Sequence, residues 1–284
     1  LLAFQAFRFN DQYGGPSHES DIYSGLYEAR KAFLGDEYNL YQGHTESVNS
    51  ILFKNDRDEF VSAGSDGQIL FHSLLDTTRG YQVFYQGDQL IMALSISADK
   101  RYIAAGTKSN GILIFDLQKQ DADPIVLWGH NGQVRDVEFD QDGNILYSMG
   151  IDQSILKWNI KDGTNIQIAR SSSRFNDIAL SHNKKILAAS NRAGKIYLVD
   201  AENGGFLDSI AGQESNPVYS LDFSEDGKYL AAGDQRGNVR IFDMSSMSMI
   251  NSLRGSSSRI KGVQFSPYGK YLASSSLDGK VLMW

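Results

Sequence analysis

Apolar and polar residues alternate along most of this chain in short runs, and turn-forming sequences separate the runs. The runs are rich in β-branched and aromatic residues, and sequences such as residues 224–228 and 266–270 combine serine, glycine and charged residues in the manner of tight turns. Alternation with a period of two residues predicts strands rather than helices. The pattern therefore predicts an all-β architecture from about residue 37 onward.

The strand pattern repeats six times. Residues 62–72, 148–158 and 274–284 superimpose, and three more divergent copies lie between them. The copies close at His72, Phe115, Trp158, Val199, Phe242 and Trp284. Their intervals of 43, 43, 41, 43 and 42 residues match the period of a β-propeller, in which each repeat forms one four-stranded blade. We expect repeats at about 37–76, 80–118, 123–160, 164–201, 206–244 and 249–284.

The spacing inside each repeat is constant in its first three strands. The residue that closes the first strand, such as Phe139, is followed nine positions later by a small residue, here Ser148, and ten positions after that by the closing residue. The outer strand then opens the next repeat and pairs with the preceding blade. We expect Asn39–Gln42 to pair beside Lys280–Trp284 and close a six-bladed ring. The alternative is a ring of seven blades, if the chain is truncated.

Residues 1–36 have a different pattern. Leu1, Phe4 and Phe7 have helical spacing, and Ser20 is placed to cap a second helix that ends at Gly35. We therefore expect a short helical connector at 1–36, ahead of a propeller at 37–284. It either packs on the propeller as a helical hairpin or provides a site for a partner helix.

These repeats resemble the WD repeat. That family has a Gly-His pair after the outer strand and a Trp-Asp pair at the end of the third strand of the blade core. The chain has Gly43-His44 and Gly129-His130 at the first place, and Phe115-Asp116, Trp158-Asn159, Val199-Asp200 and Phe242-Asp243 at the second. The resemblance covers about residues 37–284.

The resemblance implies a hydrogen-bonded network inside a blade that joins the histidine, a strand serine, a turn aspartate and the tryptophan. The expected members are His44, Ser62, Asp66, His130, Ser148, Asp152, Trp158, Ser274, Asp278 and Trp284. In the first repeat His72 takes the tryptophan position, and in the sixth Ser256 takes the histidine position. Repeats two, four and five instead have Ala105, Ala189 and Ala232 at the serine position. This concerted change is expected because a half-satisfied buried polar network is worse than an apolar one.

The composition argues against several classes of function. The formal net charge of −7 argues against a surface that binds nucleic acid. The chain has no cysteine, and its five histidines show no metal-ligand spacing. No phosphate-binding loop or nucleophile elbow is present in the repeats. We therefore expect no catalytic residues, no cofactor and no metal, and we assign the three turn aspartates to structure.

Binding of another protein is the function that remains. The resemblance to the WD repeat implies that the residue after the first apolar position of each innermost strand faces the rim of the channel on the loop-rich side, and the six are Asn49, Met92, Arg135, Asn176, Tyr219 and Lys261. Methionine, tyrosine and arginine are enriched at protein interfaces, and blade packing is not expected to need these side chains. The alternative is a ligand-binding or hydrolytic propeller that uses acidic residues clustered in the channel; the residues expected there are mixed, which favours the protein partner.

The N-terminal stretch supplies a second resemblance. Residues 1–10 and 21–32 look like the connector that precedes WD repeats in large bacterial multidomain proteins, many of which carry a STAND-type nucleotide triphosphatase or a caspase-like protease domain upstream. This resemblance implies a scaffold or sensor domain of a larger protein, with any catalysis in a separate domain. We expect a cytoplasmic location and, in this sequence, no membrane span.

Overall fold

A computed structural model of the chain describes residues 42–54, 59–73, 80–119, 122–140, 142–210, 216–266 and 269–284. The chain divides into two compact units. The larger unit, residues 43–75 and 81–284, contains every strand described below. Of the smaller unit, residues 1–42 and 76–80, only Gln42 and Gly80 are among the described residues. The helical connector expected at 1–36 lies outside them.

The larger unit is a β-propeller of six antiparallel sheets, which we call blades 1 to 6. Blade 1 contains β1 (Val48–Phe53), β2 (Glu59–Gly64), β3 (Gln68–Ser73) and β4 (Tyr81–Gln86). Blade 2 contains β5 (Ile91–Ile96), β6 (Tyr102–Thr107), β7 (Gly111–Asp116) and β8 (Ile125–Trp128). Blade 3 contains β9 (Val134–Phe139), β10 (Ile145–Gly150), β11 (Ser154–Asn159) and β12 (Asn165–Arg170).

The remaining blades follow the same order from the channel outward. Blade 4 contains β13 (Phe175–Leu180), β14 (Ile186–Asn191), β15 (Ile196–Asp200) and β16 (Phe206–Ile210). Blade 5 contains β17 (Val218–Phe223), β18 (Tyr229–Asp234), β19 (Asn238–Asp243) and β20 (Ser248–Arg254). Blade 6 contains β21 (Ile260–Phe265), β22 (Leu272–Ser276) and β23 (Val281–Met283) among the described residues. Each outer strand opens a sequence repeat and pairs with the blade before it.

The second strand of each blade explains the small residues in the repeats. In blades 2 to 5 this strand is covered on both faces by the neighbouring blades, so small residues are buried at many of its positions, although β10 also buries Tyr147 and Met149. Ala104 and Ala105 in β6 and Ala188 and Ala189 in β14 are completely buried for this reason. Strands buried on both faces lose the alternation that a half-exposed strand shows.

Five apolar clusters join consecutive blades, from blades 1 and 2 to blades 5 and 6. Main-chain N–H groups of one innermost strand also donate to side chains of the preceding one. Leu94 N–H donates to Ser50 Oγ at 3.1 Å, and Val263 N–H donates to Ser220 Oγ at 3.0 Å. The blades are therefore held in register by both apolar packing and hydrogen bonds.

The faces of blades 1 and 6 that meet no further blade are exposed. Ile51 is 62% exposed, whereas its equivalents in the other five blades are 1–8% exposed. Val281 is 72% exposed, whereas the equivalent residue of every other blade is fully buried. The expected pairing of Asn39–Gln42 with Lys280–Trp284 involves residues 39–41, which lie outside the described residues. Within the described residues, blades 1 and 6 do not bury these faces against each other.

Candidate functional site

Every innermost strand has a β-bulge near its start. In blade 3, Val134 pairs with Gly150 and Asp136 pairs with Met149, so Arg135 has no partner in the ladder. The bulged residues of the other blades are Asn49, Met92, Asn176, Tyr219 and Lys261. These are the six rim positions expected from the sequence. A bulge bends the strand and re-aims a side chain, which gives these residues a direction that a regular strand would not.

The six bulged residues line one cavity of about 270 Å³ at the mouth of the channel. We call this cavity, together with the residues that line it, the upper mouth. The structure thus brings all six sequence-predicted rim residues together. Whether they bind a partner stays a prediction.

Two of the six side chains also hold blades together. Asn49 Nδ2 donates to the carbonyl oxygen of Ile91 at 2.8 Å, and Asn176 Nδ2 donates to that of Val218 at 2.8 Å. Each bond connects one blade to the next. The expectation that blade packing does not need the rim side chains is therefore wrong for these two asparagines, because a bulged side chain can reach the unpaired carbonyl group of the neighbouring strand.

The upper mouth is rich in cations. Arg174, Arg192 and Arg259 line it together with Arg135 and Lys261. Arg174 and Arg192 are held side by side, since Arg192 N–H donates to the Arg174 carbonyl oxygen at 3.0 Å. Burial lowers the pKa of Arg135, and the charges of Arg174 and Arg192 lower it further. These like charges therefore repel one another across the mouth.

Buried carboxyl groups lie in the channel below these cations. Asp136 and Asp177 line the upper mouth, and Leu221 N–H donates to Asp177 at 2.6 Å. Burial raises the pKa of Asp136 to about 6. Burial and the neighbouring charge of Asp136 raise the pKa of Asp177 well above its usual range. The two carboxyl groups also share a hydrogen bond.

A larger cavity of about 620 Å³ lies at the other end of the channel, where the innermost strands end. We call it the lower mouth. Phe53, Phe139, Phe223 and Phe265 line it together with three acidic residues, Glu138, Asp222 and Glu225. Burial raises the pKa of Asp222 to about 6 and, with the charges of Asp136 and Asp222, raises the pKa of Glu138 to about 8.

Four acidic residues therefore cluster along the channel in blades 3, 4 and 5. The channel as a whole is mixed in composition, as the sequence indicates, but the sequence did not predict this cluster of acidic residues. Three of the four carboxyl groups accept a main-chain N–H from the next blade, as Asp222 does from Phe265 at 2.6 Å. Their first role is to connect blades. The described residues contain no group of three or more metal-ligating side chains arranged to hold an ion.

The network expected in the third repeat is present in blade 3. His130 Nε2 lies 2.7 Å from Ser148 Oγ, and its Nδ1 lies 3.1 Å from Asp152. Trp158 Nε1 donates to Ser148 Oγ at 2.7 Å. Burial lowers the pKa of His130, although the charge of Asp152 opposes this effect. Asp152 also accepts Asn131 N–H at 2.7 Å, so its carboxylate is fully engaged in holding the turn.

Blades 1 and 6 contain variants of the same network. His44 lies 3.0 Å from Asp66 and 2.8 Å from Ser62 Oγ, and His72 replaces the tryptophan by placing Nε2 2.8 Å from the same hydroxyl. In blade 6, Trp284 Nε1 donates to Ser274 Oγ at 3.2 Å. Ser256 donates to Asp278 at 3.1 Å and so occupies the place of the missing histidine.

Comparison with known proteins agrees with this geometry. The pattern of the WD40 family (WD domain, G-beta repeat) matches residues 35–73, 124–159, 204–243 and 247–284, which together are more than half of the chain. The chain belongs to the WD40 family. The second and fourth repeats lie outside these matches, and both have alanine in place of the network serine.

Curated WD40 relatives are similar to the chain at low identity. "WD repeat and HMG-box DNA-binding protein 1" of Xenopus laevis is 32% identical over 55% of the chain, which spans 14% of that protein. "Autophagy-related protein 16" of Arabidopsis thaliana is 24% identical over 87% of the chain, which spans 49% of it. "Target of rapamycin complex subunit wat1" of Schizosaccharomyces pombe is 24% identical over 79% of the chain, which spans 73% of it. The chain therefore covers only a part of the first two.

Sequence reasoning missed three of the cations in the upper mouth. Arg174 and Arg259 come directly before the innermost strands of their blades, and Arg192 directly follows a second strand. The same two positions are joined by a main-chain hydrogen bond in every blade, as Ile151 is joined to Gln133. Aligning the loop positions as well as the strands would have placed these arginines beside the rim.

Proposed function

We propose that this WD40 domain is a non-catalytic scaffold or sensor that binds a protein partner at the upper mouth. Arg135, Tyr219 and Met92 belong to residue types that are enriched at interfaces. Bulges direct these side chains toward the cavity rather than into the packing between blades. The relative named as a target of rapamycin complex subunit is, by its name, part of an assembly. An interaction role for this chain is consistent with that name.

A single observation carries the proposal. Six bulges in six blades aim their side chains into one cavity, although a bulge disrupts the ladder and leaves one residue unpaired. Bulges are over-represented next to functional sites, where they re-aim side chains. Within the described part of the chain, only two of these six side chains contribute a hydrogen bond between blades. The other four are available to a partner.

The test is a quantitative pull-down with the full chain from a lysate of the source organism. Arg135→Ala and Tyr219→Ala should lose the partners of the parent protein and melt at nearly the same temperature. Matched controls at the lower end are Asp142→Ala, Lys184→Ala and Lys228→Ala. Loss of the partners in the lower-end variants but not in the upper-mouth variants would place the site on the other face.

We further propose that the domain belongs to a larger bacterial multidomain protein of the cytoplasm, with catalysis in a separate domain. The resemblance of residues 1–10 and 21–32 to the connector in such proteins supports this proposal. The two relatives of which the chain spans 14% and 49% are consistent with a larger protein, but they do not bear on a bacterial origin. The test is the reading frame on both sides: a STAND-type or caspase-like domain upstream would support the proposal, and a frame from a eukaryotic genome would refute it.

The acidic channel favours one alternative, a ligand-binding or hydrolytic propeller. Glu138 and Asp222 face the lower mouth, where a cation or a polar ligand could reach them. Thermal denaturation with calcium, manganese or zinc ions tests this alternative. A rise in melting temperature that disappears in Glu138→Gln and Asp222→Asn would favour it over the scaffold.

A further inference from the structure

Five cationic side chains surround the upper mouth, in a chain whose net charge is −7. Arg135, Arg174, Arg192, Arg259 and Lys261 share the cavity with only two acidic residues, Asp136 and Asp177. Even with both carboxyl groups ionised, the mouth carries three more positive than negative groups. This concentration of positive charge is local and is opposite in sign to the charge of the whole chain.

Within the described residues, none of the five cations forms an ion pair with an acidic side chain. Elsewhere in the structure, cations near acidic groups do form such pairs, as Arg101 does with Asp116 at 3.0 Å. Arg259 stacks over the ring of Tyr219, 4.5 Å from its centroid, which orients the guanidinium without neutralising its charge. The mouth is therefore built with uncompensated positive charge.

Arg259 contains a polar atom whose hydrogen-bonding capacity its surroundings do not satisfy. Its Nε is buried and has no hydrogen-bond partner within the described residues. A buried donor without a partner is costly, and such groups in native structures call for an explanation. Because this atom is closed to a water-sized group, an anionic oxygen in the mouth could accept its hydrogen bond only after the Arg259 side chain turns toward the cavity that it lines. An arginine fork is suited to carboxylate and phosphate groups.

The size and polarity of the mouth restrict the ligand. A cavity of about 270 Å³ accommodates one or two side chains but not a nucleic-acid duplex. Arg135, Arg174, Arg192 and Lys261 come from blades 3, 4 and 6, whereas Asn49 and Met92 give blades 1 and 2 an uncharged side. The mouth can thus contact anionic groups on one side and an apolar residue on the other.

We propose that the upper mouth recognises an acidic segment of a partner protein, in which closely spaced anionic groups lie beside an apolar residue. This inference rests on the proposed function and adds the chemistry of the partner. The anionic groups are either neighbouring aspartate or glutamate residues or a phosphorylated side chain, and both present oxygen acceptors to the arginines.

Fluorescence anisotropy with the full chain tests the proposal. The probes are a fluorescein-labelled peptide Gly-Leu-Glu-Glu-Glu-Leu-Gly, a version with phosphoserine at the central position, and a version with glutamine at all three acidic positions. We expect both acidic peptides to bind and the glutamine peptide to bind at least about tenfold more weakly. Raising sodium chloride from about 50 to about 300 mM should weaken the acidic peptides, because salt screens charges at an open mouth.

Charge-neutral variants assign the binding to the mouth. Arg135→Gln combined with Arg259→Gln should weaken both acidic peptides at least about tenfold, and the matched lower-end pair Lys184→Gln with Lys228→Gln should not. Lys261→Gln provides a third upper-mouth variant if the double variant fails to fold. The relative affinities of the two acidic peptides show which source of anionic groups is preferred.

Three results would overturn the proposal: equal binding of the glutamine peptide, unchanged affinity in the upper-mouth variants, or stronger binding of a labelled single-stranded oligothymidine than of either acidic peptide. Binding of inorganic phosphate without binding of any peptide would likewise overturn it, in favour of a small anionic ligand. Failure here is distinguishable from failure of the proposed function, because Arg135→Ala and Tyr219→Ala would still lose the natural partner if that partner docks without acidic groups.

Discussion

At the lower end of the propeller the turn side chains are hydrogen-bonded within their own turns, whereas at the upper end charged side chains face an open cavity. Ser224 Oγ donates to Asp226 at 2.8 Å and accepts Tyr229 N–H at 2.9 Å. Ser97 and Ser181 make the same two contacts in the corresponding turns of blades 2 and 4. Arg135 and Lys261 at the upper end have no such local partner among the described residues.

This difference separates residues that serve the fold from residues available for binding. A turn that satisfies its own polar groups stabilises the blade and presents little to a partner. A mouth with uncompensated charges is less stable than it would be with neutral residues, since like charges repel. Natural proteins accept such a cost at functional sites. The predictions below compare internally satisfied residues with residues that face the cavity.

The largest expected effect on stability comes from removing a carboxylate near the upper end whose hydrogen bonds are made within the blade. Asp152→Ala should lower the free energy of unfolding by about 1–3 kcal/mol, because His130 and the main-chain N–H groups would lose their acceptor. Ser109→Ala, at the equivalent position of the apolar blade 2, should have almost no effect, because Ser109 is exposed and contacts only Gln89. Thermal denaturation measures both. Equal shifts would mean that the blade 3 network does not contribute to stability.

Glu138 should make stability depend on pH. Its pKa of about 8 in the folded chain lies above its usual value of 4.5, so the folded chain binds more protons than the unfolded chain between these values. The extra proton bound by the folded chain therefore stabilises it near the lower of these two pKa values, and this stabilisation is lost as the pH rises toward 8. Glu138→Gln stays neutral, so its melting temperature relative to the parent should rise by a few degrees between about pH 5 and about pH 8. Parallel pH profiles for the two proteins would contradict the burial of this carboxyl group.

Removing one cation from the upper mouth should raise the free energy of unfolding, whereas removing one at the lower end should reduce it. Arg259→Met deletes a buried donor without a partner and relieves repulsion, so it should raise the free energy of unfolding by up to about 1 kcal/mol. Lys184→Met removes the ion pair with Asp142 at 2.8 Å and should lower stability slightly. Chemical denaturation of both variants gives the comparison. A clear loss of stability in Arg259→Met would show that the arginine serves the fold.

The smallest expected effect is at a lower-end turn. Hydrogen bonds from Lys228 N–H and Ser224, together with the Lys228 side chain, lower the pKa of Asp226 to about 2. Because Asp226 is exposed, Asp226→Ala should lower the melting temperature only slightly and should leave acidic-peptide binding unchanged. A change in peptide affinity comparable to that of an upper-mouth variant would remove the distinction between the two ends.

The sequence was sufficient to predict the propeller and the positions of the rim residues, because both depend on strand spacing that every repeat shares. Arg174, Arg192 and Arg259 could not be assigned to the site in this way, since they lie in connections that the strand pattern does not constrain. The double role of Asn49 and Asn176 could not be predicted either. It depends on a bulge, which adds a residue and so shifts the alternation of apolar positions, as from Phe175 to Ile178, but does not show which neighbouring carbonyl group the side chain reaches.

The exposure of the outer faces of blades 1 and 6 could not be predicted from the sequence either. Ile51 and Val281 have the same apolar character as their buried equivalents, so sequence alone predicts that they are buried. Exposure depends on which blade stands next to them. Periodicity describes each repeat in turn and does not determine how the ring closes.

Site-specific photocrosslinking tests the central claim most directly. A benzophenone amino acid replaces Met92 in the upper mouth in one protein and Lys184 at the lower end in another, and each is irradiated in a lysate of the source organism. We predict that the protein labelled at position 92 forms adducts with a partner, that excess of the acidic peptide Gly-Leu-Glu-Glu-Glu-Leu-Gly suppresses them, and that the protein labelled at position 184 forms none. Adducts at position 184 alone, or adducts at position 92 that the peptide does not suppress, would contradict recognition of an acidic partner at the upper mouth.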